Sequence, residues 1–291
     1  MFRYCIIKPI FTSANIIENI YGIYFWLIVL AYVFIAAAGY IINDYFDLNI
    51  DQINKPDKVI VAAIISRRWV LLWHLGLSIT AIVMTVYVDG KAHNKHLPSL
   101  AATGCVILLF LYSTTLKKKF LIGNILVAAI TAWVMPILTL CEANHLILFN
   151  KIPVNFDNEK LVRVTFLYTG FAFIISLIRE VVKDMEDIDG DRRFGCKTMP
   201  IVWGINATKV FVAVWLIVLI AVLTTAQFYV IQFKWWLSIV YAVVLIIAPL
   251  AYILKKLFKA QSAGDFHALS TTIKFVMFTG ILSMIFFRIY N

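Results

Sequence analysis

Long apolar runs separated by short polar stretches fill the chain. Eight of them, at roughly 20–42, 69–88, 98–114, 122–142, 161–182, 208–230, 233–254 and 271–290, stand out. An α-helix needs about 20 mostly apolar residues to cross the hydrocarbon core of a bilayer, and these runs reach or approach that length. A strand barrel would show short alternating segments instead. The pattern predicts an all-α, polytopic bundle of eight transmembrane helices, forming one domain over residues 1–291. Pro136 and Pro249 fall inside apolar runs and are expected to kink their helices. His74 also lies inside a run, where a hydrogen bond to a neighbouring helix is the expected use of its ring.

The first residues, MFRYCIIKPIFTSANIIENI, break this pattern. They carry Arg3, Lys8, Asn15, Glu18 and Asn19 and contain no long apolar stretch. They fit a connection outside the membrane better than a spanning helix. They also lack the apolar core and small-residue cleavage site of a signal peptide.

Composition sharpens the class. At 62% hydrophobic and 14% charged residues, the chain carries more apolar surface than a soluble domain of this size needs. Cys5, Cys105, Cys141 and Cys196 are scattered and make no CxxC pair, so no thiol metal site is expected. The net charge of +10 would suit nucleic acid in a soluble protein. In a membrane chain it reflects lysines and arginines that hold loops against anionic lipid, and no nucleic-acid partner is expected. Threading the eight segments puts fourteen basic residues on one side, Lys58, Arg67, Lys117, Lys183 and Lys197 among them, and eight on the other. The positive-inside rule makes the richer side cytoplasmic. The expected location is the cytoplasmic membrane, with membrane lipid as a partner.

The acidic residues are not spread over the loops. Ten of sixteen lie in two stretches, both on that side. The first, NDYFDLNIDQINKPDK, holds Asp44, Asp47, Asp51 and Asp57; the second, REVVKDMEDIDGDRR, holds Glu180, Asp184, Glu186, Asp187, Asp189 and Asp191. Asn43, Asp47 and Asp51 are four apart and share one helical face, with Asp44 beside it. Glu180, Asp184, Asp187 and Asp191 follow a four-three-four spacing and do the same. Two helix ends can therefore present facing carboxylates. Like charges that close repel strongly, so a cation must offset them. Carboxylates and an amide carbonyl are hard oxygen donors that suit Mg²⁺ or Ca²⁺. Mg²⁺ uses few carboxylates and takes phosphate oxygens as further ligands, which makes a metal-bridged phosphate the natural guest.

Both stretches resemble the aspartate-rich motifs of the UbiA superfamily of intramembrane prenyltransferases. The first resembles NDxxDxxxD followed by Asn and a basic residue. DMEDIDGDRRFGCKTMP resembles the second, with Asp187 and Asp191 as its pair, and YSTTLKKKFLIGN resembles the loop between them. RExxKDxxDxxGD, from Arg179 to Asp191, is most similar to members that prenylate geranylgeranylglyceryl phosphate, the digeranylgeranylglyceryl phosphate synthase-like subgroup. The chain departs from the pattern at Lys58-Val59, where many members have Arg-Pro. It also has little sequence ahead of the helix bearing the first motif. The family typically has nine helices around a central cavity, so its first helix is expected to be missing or degenerate here.

The resemblance implies a Mg²⁺-dependent transfer of an isoprenyl group from a polyprenyl diphosphate, geranylgeranyl diphosphate among the candidates. The acceptor would be a lipid-soluble or amphiphilic molecule, aromatic or glycerol-phosphate. Asn43, Asp47, Asp187 and Asp191 are the first-choice metal ligands, with Asp44, Asp51 and Asp184 in support. Asp47, Asp187 and Asp191 carry the catalytic role. Asn54, Lys58, Arg67, Tyr112, Lys117 and Lys197 are the substrate-binding candidates. A terpene cyclase of the same family needs no acceptor and stays open. So does a divalent-cation or proton-coupled transporter, although transporters bind near the bilayer midplane and these acids lie at segment ends.

Overall fold

A computed structural model describes residues 1–17, 20, 22–54, 59–61, 64–91, 96–148 and 156–290, without the side chains of 144–148. The fold is all-α. Among the described residues eight helices are long and apolar enough to cross a membrane, in the order the hydropathy pattern predicts. A π-turn, Arg3–Ile7, and α1, Lys8–Ser13, precede them. The spanning elements are α2 (Ile23–Asn54), α3 (Arg67–Asp89), α4 (Leu97–Thr114), α5 (Ile122–Leu148) and α6 (Asn158–Glu186). Two short helices, α7 (Ile188–Arg193) and α8 (Met199–Val202), lead to α9 (Ile205–Ile231). The seventh span is broken into α10 (Trp236–Ala242) and α11 (Ala248–Leu257), and the eighth is α12 (Ala263–Leu282) with α13 (Ile285–Tyr290).

Several boundaries differ from the hydropathy estimate. α2 does not stop where its apolar run ends but continues through the first acidic motif to Asn54. Its 32 residues make a rod of about 48 Å at 1.5 Å per residue, longer than the roughly 30 Å hydrocarbon core. α12 begins before its apolar run because Ser262 and Asp265 form a reciprocal capping box. α6 likewise starts early, where the Asp157 side chain accepts the Lys160 N–H.

The seventh span shows how Pro249 is accommodated. Proline has no N–H to offer the preceding turn. The chain widens into a π-turn over Val243–Ile247, and the freed carbonyl of Leu245 accepts the Thr279 hydroxyl at 2.9 Å. In lipid such a replacement bond is required, because no water is present to satisfy the group. His74 behaves as expected: its Nδ1 lies 3.0 Å from the Ala38 carbonyl of α2, and the ring is buried.

The N-terminal segment does not span. Arg3–Ser13 is helical but covers only about 16 Å. Nor is it an exposed connection. Phe2, Ile6, Ile7 and Phe11 are buried against Phe156, Leu161 and Met284. Arg3, which the charge tally places on the less basic side, is buried against Glu142 of α5 at 2.6 Å. Glu142 also accepts the Ile20 N–H at 3.1 Å. The apolar side chains thus bury a charge that finds its partner in the interior.

Candidate functional site

The α2 extension, the ends of α4 and α6, and α7 surround a cavity of about 250 Å³. α2 contributes Asn43, Asp44, Asp47, Asp51 and Asn54, all on one helical face. α6 contributes Glu180, Lys183 and Asp184; Asp187 lies in the turn after it and Asp191 on α7. The four acids of the four-three-four spacing thus share one wall. Glu186 and Asp189, off that face, do not line the cavity, and Glu186 lies 2.9 Å from Nδ1 of His267 instead.

Local contacts aim the individual groups. The Asn43 amide donates to Asp47 at 2.7 Å. Lys117 forms an ion pair with Asp47 and donates to the Asn43 carbonyl at 3.3 Å. It reaches them from the tight turn Leu116–Lys118, which folds down on the first turn of α5. Only glycine allows that approach, since a Cβ on Gly123 would meet the Lys117 Cα at 2.8 Å. On the second motif, buried Asn124 donates to Asp184 at 2.9 Å. Arg179 pairs with Glu180. The Lys197 main-chain N–H donates to the Lys118 carbonyl at 2.8 Å, tying the loop after the second motif to the turn that carries Lys117.

Charge is unbalanced. Seven carboxylates, Asp44, Asp47, Asp51, Glu180, Asp184, Asp187 and Asp191, face two lysines, Lys117 and Lys183. The effect shows at Asp191, whose carboxyl is pushed up to about 7. Burial contributes most, followed by the charges of Asp187 and Asp47, against the pull of Lys117 and Lys183. Burial and Asp191 likewise push the Cys196 thiol up to about 11, so it stays protonated and is a poor nucleophile at neutral pH.

Among the described residues no three Asp, Glu, His or Cys side chains converge on one point. The carboxylates ring the cavity, and the Asn43–Asp47 pair is held by Lys117. The donor set is oxygen-only and short of positive charge. It fits a hard divalent cation that takes a few carboxylates and completes its shell with water and substrate oxygens.

The other residues singled out from sequence divide. Tyr112 lines the cavity. Asn54 lines it too, with its amide bonded to the main chain at Asp187 and Gly190. The Arg67 and Lys197 side chains are exposed and are not among the lining residues. Lys58 and Asp57 lie outside the described residues. Asn124, Cys196, Thr198 and the cavity role of Lys183 escape the reading of the sequence. Lys183 carried a signal, standing three residues after Glu180 and four before Asp187 on the same face.

The family model of the UbiA prenyltransferase family matches residues 12–282. A digeranylgeranylglyceryl phosphate synthase of Methanosphaera stadtmanae is 30% identical over 254 residues, 86% of this chain and 83% of the relative. One from Natronomonas pharaonis is 35% identical over 218 residues, 75% of this chain and 69% of the relative. For the one from Thermococcus sibiricus, 34% identical over 171 residues, the match covers 59% of this chain and about half, 53%, of the relative. A solved structure from a study of digeranylgeranylglyceryl phosphate synthase in membranes superposes with a TM-score of 0.59 at 22% identity. It covers 98% of this chain and 92% of its own, and supports the fold. A family match from before the first spanning helix to the end of α12 settles the assignment: the chain belongs to the UbiA prenyltransferase family.

Proposed function

We propose that this chain transfers a geranylgeranyl group from geranylgeranyl diphosphate to a glycerol-phosphate lipid acceptor, with Mg²⁺, at the cytoplasmic face of the cytoplasmic membrane. The observation that carries the reading is the cavity shared by both acidic motifs, with seven carboxylates and two lysines on its wall. The names of the relatives support the donor and acceptor. Asn43, Asp47, Asp187 and Asp191 would hold the metal, with Asp44, Asp51 and Asp184 around them. Held there, Mg²⁺ would supply the positive charge that neutralises the diphosphate as a leaving group.

The side chains supply the rest. Lys117 and Lys183 are the cations that line the cavity, and they are placed to take diphosphate oxygens as the allylic C–O bond breaks. Leu48, Ile50, Val59 and Val61 make the apolar part of the wall and exclude water from the allylic cation. With its thiol held protonated, Cys196 takes no covalent part. The acceptor oxygen attacks the prenyl carbon and its proton leaves to the carboxylate-lined cavity.

The test is product formation. Membranes containing the chain, Mg²⁺ and labelled geranylgeranyl diphosphate are offered geranylgeranylglyceryl phosphate and a panel of aromatic acceptors. The expected product carries one added geranylgeranyl group on the glycerol-phosphate acceptor. A cyclic hydrocarbon formed without acceptor would make the chain a terpene cyclase. An aromatic product alone would overturn the acceptor class.

A further inference from the structure

The α6–α7 junction is closed by a residue from another helix. Asp187 stands at the N-cap of α7, where an aspartate ordinarily turns its carboxylate back to accept an N–H of the first turn. Here the Asp187 side chain makes no such capping bond. Asn54, the last residue of α2, does it instead. Its carbonyl accepts the Gly190 N–H at 2.8 Å, and its amide donates to the Asp187 carbonyl at 3.0 Å. Gly190 is the third residue of α7, the position an N-cap side chain normally serves. The contact is close enough to require glycine, since a Cβ at 190 would sit 2.5 Å from the Asn54 Oδ1.

We propose that Asn54 is a positioning residue that caps α7 from outside and so leaves the Asp187 carboxylate to face the metal cavity. Once Asn54 is removed, the Gly190 N–H becomes an orphan donor, and the Asp187 side chain stands at the N-cap position that ordinarily serves it. A carboxylate turned onto its own helix no longer faces Asp47 across the cavity. The same two bonds join the end of the first acidic motif to the start of the second. Asn54 thereby sets the separation between the two halves of the ligand set. Partners of this kind, which orient a ligand without touching the metal, are worth about 10- to 100-fold in metal affinity.

This inference rests on the metal reading above, and the experiment separates the two. Mn²⁺ binding to the purified full chain in detergent is followed by the loss of the free-ion electron paramagnetic resonance signal, well below the melting temperature. Asn54→Ala should weaken Mn²⁺ at least about tenfold. The readout is metal affinity and not rate, because Asn54 itself lines the cavity. Gly190→Ala, which displaces the Asn54 amide by its Cβ, should weaken the metal in the same way. In an Asp187→Ala background, Asn54→Ala should cost clearly less than in the natural chain, since the ligand it positions is gone and only the tie between α2 and α7 is lost. Unchanged Mn²⁺ affinity in Asn54→Ala, or an equal further loss in the Asp187→Ala background, overturns the positioning role. Failure of the unmutated chain to bind Mn²⁺ overturns the metal reading and this inference with it.

Discussion

Asp191 is held in an environment that disfavours the charge its proposed role as a metal ligand would require, and replacing it with asparagine should expose that conflict. In the metal-free protein its carboxyl rises from the ordinary 3.8 to about 7. A group whose pKa is raised on folding contributes its full stability below the unfolded value and loses it as the pH climbs through the folded one. The stability of the metal-free chain should therefore fall between about pH 4 and pH 7. Each tenfold change in proton affinity is worth about 1.36 kcal/mol, so the full loss before screening is a little over about 4 kcal/mol. Water reaching the cavity screens part of this, and a net effect of about 2–3 kcal/mol is a fair working figure. An asparagine side chain in its place would be neutral at every pH and nearly the same shape.

The assay is thermal melting of the purified chain in detergent with chelator, for the natural protein and Asp191→Asn, at pH 5 and pH 8. At pH 8 the variant should melt higher by about 5 °C or more. At pH 5 the two should approach each other. Adding Mg²⁺ at pH 8 should raise the natural protein and leave the variant nearly unmoved, because metal binding competes with protons for the same carboxylates. The variant should have lost turnover throughout. A variant that melts lower than the natural protein at pH 8, or a gap that does not change with pH, would refute the electrostatic account of this cavity.

Asp47→Ala should lower turnover by about 100-fold or more while the chain still inserts, since it removes a ligand and strands Lys117; near-natural rates at equal membrane abundance would make these acids plain interface anchors. Glu142→Ala should destabilise the fold by about 3–5 kcal/mol, because it leaves Arg3 buried without its carboxylate; melting and protease release of the N-terminal segment are the measurements. Thr279→Val should lower stability by about 1 kcal/mol, by depriving the Leu245 carbonyl of its donor beside Pro249, and a matched melting curve would show the π-turn is satisfied in another way.

The spans and one face of the site were legible because both are periodic. Twenty apolar residues announce a membrane helix whatever it packs against. Residues four and three apart share a face wherever the helix ends, so spacing alone groups Glu180, Asp184, Asp187 and Asp191 and leaves Glu186 and Asp189 aside. Tertiary partners were illegible for the complementary reason. Nothing in the local pattern tells that Glu142, at the edge of an apolar run, meets Arg3 at a sequence distance of 139. Lys197 keeps its place in the second motif through its main chain, and its exposed side chain says nothing of that. Asn54 stood out as a polar residue after the acids, yet its bonds go to the backbone of α7, which only the fold brings near.

The length of α2 gives the fold and the chemistry a common origin. A helix that ended with its apolar run near residue 42 would leave the acids on an irregular loop, with no fixed face. Because α2 runs on to Asn54, Asn43, Asp47, Asp51 and Asn54 inherit the rigidity of a membrane-anchored rod. Its packing is set inside the bilayer by fully buried Ala31 and nearly buried Ile35 and Ala38. A carboxylate carried on such a rod cannot drift far from its repelling neighbours, so the charge of Asp47 adds to burial and to Asp187 in raising Asp191 on α7. That retained repulsion is what a divalent cation would relieve under the proposed function. Rigidity imposed by lipid-buried packing and the fixed array of acids in the cavity are then two consequences of one feature, an apolar helix that continues past its membrane run carrying acids on one face.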